Sequence, residues 1–118
     1  MCIRDRAYSN LAAAVRNGDD IDARTNMMMA SMMGAVAFQK GLGVTHSLAH
    51  PLSSVAGLHH GTTNGVLLPH VLEFNREASG ERLRDLAIAM QLDNGQMSTR
   101  EAGTAAIQAI QQLSLIHI

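Results

Sequence analysis

Apolar residues recur along this chain at three- and four-residue spacing, the period of one helix face, and no segment reads as a strand. Residues 7–17, AYSNLAAAVRN, predict a helix closed by Gly18. Asp19, Asp20 and Asp22 then gather where a second helix would start, since carboxylates suit the free N–H groups and positive end of a helix N-terminus. That helix is expected over residues 21–40. Its middle, NMMMASMMGAVAF, is apolar nearly all round and reads as a buried helix with methionine as core filler. Gly41 and Gly43 break it, and a third helix is expected from near Thr45, its candidate N-cap, with Pro51 interrupting or kinking it. Residues 57–61 read as a turn. A helical pattern resumes from Thr62 to about Arg76 through Val66, Leu67, Val71 and Phe74, with Pro69 as a kink. Residues 79–91 form an amphipathic helix, and Ser98 with Glu101 makes an S-x-x-E capping box that opens a last helix through Ile107, Ile110 and Gln111. The expected fold class is all-α, a bundle of five or six helices.

Composition sharpens this picture. At 118 residues the chain is one domain at most, long enough to bury a core. Its 47% apolar share is built from Ala, Leu and Met, with two Phe, one Tyr and no Trp, which favours helix over sheet. A net charge of −1 with no basic block argues against nucleic acid as a partner. The longest uncharged apolar run, residues 25–39, is too short to span a bilayer, so no membrane role is expected. One cysteine rules out an internal disulfide framework, and no secretion signal is visible, so a cytoplasmic chain is the expectation.

The two tips read differently from the body. MCIRDR (residues 1–6) and LSLIHI (residues 113–118) back-translate to strings that are nearly reverse complements, and both resemble the transposon-end adapter of sequencing libraries. Both are therefore expected to be translated adapter around a partial domain over residues 7–112. Cys2 and His117 are set aside on that ground.

THSLAHPLSSVAGLHHG, residues 45–61, holds four of the six histidines. On a helix His46 and His50 share a face, and His60 in the following turn can fold back toward it. Three neutral imidazoles suit a transition metal, although the segment contains no carboxylate and the nearest downstream is Glu73. Spacing alone leaves open both a metal site and ordinary histidines. His59 cannot point the same way as His60, so one of the two reads as a bystander. His70 reads as a core or supporting histidine, and Asn64 as a cap or a hydrogen bond to a neighbouring loop. No Gly-rich phosphate loop and no Ser/His/Asp pattern is present.

An ordered set of motifs spans residues 37–75: G-x-x-H-x-x-x-H-P at residues 43–51, H-G-x-x-N at residues 60–64, L-L-P-H-V at residues 67–71, then Phe74-Asn75. This arrangement resembles the signature of the iron-containing (group III) alcohol dehydrogenase family. The resemblance implies a two-domain, dehydroquinate synthase-like enzyme, of which this chain is part of the C-terminal helical domain. In that family the N-terminal domain binds NAD or NADP, and the helical domain holds a divalent metal, Fe2+ or Zn2+, through one Asp and three His. Carried over by position, His46 and His60 are the last two metal ligands. His50 matches an extra histidine with a proton-transfer or positioning role and is not a primary ligand. The implied activity interconverts a small alcohol with an aldehyde or ketone by hydride transfer, in a homo-oligomeric parent; the chain alone is expected to be inactive. A sibling oxidoreductase of the glycerol dehydrogenase or maleylacetate reductase kind is the alternative, or a non-enzymatic helical metal-binding module. Nothing in residues 7–26 supplies a D-x-x-x-H for the remaining ligands, His59 stands where many members have Pro, and Ser53-Ser54 replaces a common Gly. A helical domain cut from its partners is expected to expose apolar surface, the Met-rich helix above all.

Overall fold

A computed structural model describes residues 3–117 as six α-helices and one 3-10 turn: α1 Ile3–Arg16, α2 Ile21–Ala37, the 3-10 turn Phe38–Lys40, α3 Val44–Ala56, α4 His60–Phe74, α5 Gly80–Ala89 and α6 Thr99–His117. Cys2 lies outside the described residues, as does the side chain of His117.

Local chemistry explains most boundaries. Asp20 caps α2, its carboxylate accepting the Ala23 N–H at 2.9 Å, and Asp22 adds charge to the first turn. α2 ends at Ala37 rather than Lys40; the chain tightens into the 3-10 turn and reverses at Gly41, whose φ of 103° only glycine adopts cheaply. The N-cap of α3 is Gly43 and not Thr45, which lies inside the helix. Neither proline ends its helix. Pro51 sits on the exposed side of α3, so the carbonyl left without a partner can face water, while Pro69 is buried in α4. α4 begins at His60, which shortens the expected turn to residues 57–59. The capping box forms as read: Ser98 N–H donates to Glu101 Oε2 at 3.0 Å, and Glu101 N–H donates to Ser98 Oγ at 3.3 Å.

Packing runs through three consecutive pairs, α1 with α2, α3 with α4, and α5 with α6. α6 also packs on α4 and α1, and so joins the pairs. The core is made of small residues: Ala87, Ala102 and Ala106 are fully buried, with Leu86, Leu92 and Met97 packed around them. α2 departs from the buried helix expected of it. Among the described residues it packs, besides the 3-10 turn, only on α1, burying Ala23 and Ala30, while Met28 is 71% exposed and Met32 56%. An all-round apolar helix needs neighbours on several sides, and here it has one. The apolar surface expected of a domain without its partners is thus present.

Candidate metal centre

The α3–α4 pair builds the site. His46 lies in the first turn of α3, its backbone N–H donating to Gly43 O at 3.1 Å, and His50 follows one turn later. α3 closes at Gly57, where a left-handed φ of 67° turns the chain, and Leu58 N–H bonds back to Leu52 O at 3.3 Å. Three residues after α3 ends, His60 opens α4.

The result is a triangle of imidazoles. Ring centres lie 5.8 Å apart for His46 and His50, 5.4 Å for His46 and His60, and 5.3 Å for His50 and His60. Phe38, from the 3-10 turn, sets its ring edge-on to His46 at 6.3 Å. His46 is half-buried, and His50 and His60 are exposed. Residues 41–72 contain no Asp, Glu, Lys or Arg, so no fixed charge from this segment competes with the imidazoles for a cation.

Two imidazoles sharing one tetrahedral ion through nitrogens at ~2.0–2.1 Å have ring centres ~5 Å apart. The separations of His46 from His60 and of His50 from His60 match that spacing equally, so the cluster fits part of a transition-metal site with nitrogen donors. Among the described residues no group of three His, Cys, Asp or Glu holds an ion by itself.

Asn64, one helical turn beyond His60, sets its amide nitrogen 2.9 Å from His60 Nε2, with the direction of the contact set by the His60 tautomer. Its Oδ1 is buried with no hydrogen-bond partner. The i, i+4 spacing of the two residues is the readable signal for this contact, which takes the place of the cap or loop bond expected of Asn64. His59 does not join the triangle. Its Nδ1 accepts the Thr62 N–H at 3.3 Å, making it the N-cap of α4. His70 is also outside: it is exposed and lines a shallow groove between α4 and α6 with Glu73, Arg76 and Thr104. The structure thus brings together the three histidines singled out for metal and proton work and leaves the other two apart.

Residues 6–115 match the sequence profile described as Fe-containing alcohol dehydrogenase family, C-terminal. The chain is 49% identical over 100 residues to a 4-hydroxybutyrate dehydrogenase of Cupriavidus necator, covering 77% of this chain and 26% of that protein. It is 41% identical over 106 residues to a 1,3-propanediol dehydrogenase of Citrobacter freundii, covering 89% of this chain and 27% of that one. A crystal structure of 1,3-propanediol oxidoreductase superposes with a TM-score of 0.92 at 36% identity, covering 97% of this chain and 30% of the other. The chain therefore spans about a quarter of the length of the curated relatives it matches. Motif order, helix arrangement and profile agree: the chain belongs to the Fe-containing alcohol dehydrogenase family and is part of its C-terminal, all-helical domain.

Proposed function

We propose that the full-length protein carrying this chain is a metal-dependent, NAD(P)-linked alcohol dehydrogenase acting on a small alcohol and its aldehyde or ketone. The observation that carries this reading is the convergence of His46, His50 and His60 within 5.3–5.8 Å across α3 and α4 in a member of this family. His46 and His60 would hold a divalent ion, Fe2+ or Zn2+, together with an Asp and a His supplied by the rest of the protein. When bound, the ion would supply Lewis-acid polarisation of a substrate oxygen, and a nicotinamide held mainly by the other domain would supply the hydride chemistry.

The chain's own residues do the rest. His50 stands beside the ion-holding pair and is exposed, so its imidazole can pass a proton between the substrate oxygen and water. The names of the relatives, a 4-hydroxybutyrate and a 1,3-propanediol dehydrogenase, favour short substrates bearing a terminal hydroxyl. No described helix is long and apolar enough to cross a membrane. We place the parent in the cytoplasm as a homo-oligomer, and we assign no activity to the 118-residue chain alone, which carries two of the four ligands.

The test is metal analysis with kinetics on the full-length protein, purified without oxygen. His46→Ala or His60→Ala empties the metal site. His50→Ala keeps the metal and lowers turnover by about 10²-fold, the usual contribution of a positioned acid–base group. Full metal occupancy in His60→Ala would reject the assignment.

A further inference from the structure

His59 is the residue that neither the motif nor the triangle uses. Its backbone, at φ −63° and ψ 119°, has the extended conformation of an N-cap, and its ring folds back over the start of α4. Nδ1 accepts the Thr62 N–H at 3.3 Å and lies 3.2 Å from Thr62 Oγ1. The acceptor nitrogen must be unprotonated, so the ring proton sits on Nε2. The other end of the residue is also tied down. The His59 carbonyl accepts both the N–H and the hydroxyl of Thr63, each at 3.0 Å, and Thr63 is buried. Gly61 makes room for this fold: a Cβ there would stand 3.3 Å from Cε1 and 3.6 Å from Nδ1 of the His59 ring. Ser, Thr, Asp and Asn are the residues usually found in this role, because each offers an oxygen to the free N–H groups of the first turn. Here a ring nitrogen does the same work.

We infer that His59 is a positioning residue of the metal centre: its imidazole caps α4 and thereby sets where the adjacent His60 presents its own ring to His46 and His50. This rests on the reading of His60 as a metal-holding residue. His60 is the first residue of α4, so fraying of that turn displaces it directly, whereas His46 and His50 ride on α3 and do not move with it.

The experiment loads the full-length protein with Co2+ and follows its visible absorption during challenge with excess chelator, in His59→Ala, His59→Asn and His60→Ala. Thermal melts of the metal-free forms run alongside. The His59→Ala protein releases cobalt about 5-fold faster, the size expected when a cap worth about 1 kcal/mol is lost. His59→Asn, which restores an acceptor at the same place, returns release to the original rate, and the metal-free melt of His59→Ala falls by no more than the few degrees that such a cap represents. Unchanged release in His59→Ala, or equal acceleration in Ala and Asn, overturns the inference alone. Undiminished cobalt in His60→Ala overturns the site reading and the inference with it. A long-range ¹H–¹⁵N spectrum of the histidine rings gives an independent readout: it is expected to find the His59 proton on Nε2, and a proton on Nδ1 overturns the cap.

Discussion

Asp93 turns one carboxylate oxygen toward three backbone N–H groups, those of Gly95 at 2.8 Å, Gln96 at 3.0 Å and Met97 at 3.1 Å. The Met97 N–H is the largest of the influences that hold its pKa below the ordinary carboxylate range; Arg84 adds a smaller attraction, and burial opposes them. A depressed folded value stabilises the fold above the unfolded pKa of about 3.9 and ceases to do so as pH falls through the folded one. Asp93→Ala should therefore lower the unfolding midpoint at pH 7, with the gap to the unaltered chain narrowing below about pH 4. Thermal melts at both pH values check this; a gap that does not narrow would mean that the carboxylate charge is irrelevant there. Asp93 was not singled out from the sequence, because its partners lie in an irregular loop whose backbone directions no periodicity encodes. His46, His50 and His60 were legible, because imidazole is chemically distinctive and i, i+4 spacing places the first two on one helix face.

Caps and glycines decide the elements. The Ser98 and Glu101 exchange was readable because it needs only four consecutive residues, and Ser98→Ala should cost about 1 kcal/mol of stability by chemical denaturation. Gly57 has a larger reach. Its left-handed φ of 67° is unfavourable for a side chain, so Gly57→Ala should cost roughly 1–2 kcal/mol and splay α3 from α4. In the full-length protein that change should weaken metal retention although Gly57 touches no ligand; unchanged metal content would show that packing alone sets the angle between the helices. The starts of α3 and α4 were misplaced by one or two residues for one reason. Gly43 caps with no side-chain bond, and His59 caps with a group outside the usual capping residues, so neither carries a strong local signal.

At the scale of the molecule, α6 is the element on which the three helix pairs depend, and its contact with α5 is made of alanines. Ala106 is fully buried, so Ala106→Leu should overpack this seam and cost about 1–3 kcal/mol, read from equilibrium unfolding. The opposite problem holds on α2, where Met28, Met32 and Val36 leave a broad apolar face in solvent. The isolated 118-residue chain should bind a hydrophobic dye and self-associate, and Met28→Glu with Met32→Glu should reduce both. Sedimentation velocity at two concentrations gives the answer, and a monomeric, dye-silent chain would contradict it.

By itself the sequence determined the all-helical class, a count of five or six helices, most of their ends to within two residues and the identity of the histidines. Each of these rests on interactions within four residues or on the chemistry of single side chains. Only the tertiary structure decided that the α3–α4 turn closes His46, His50 and His60 into a triangle, that His59 caps instead of joining them, and that α2 keeps one packed face. These outcomes depend on where helices lie relative to one another. That is fixed by the turn at Gly57 and by which faces find partners, and a one-dimensional hydrophobic pattern records that a face is apolar without recording what covers it.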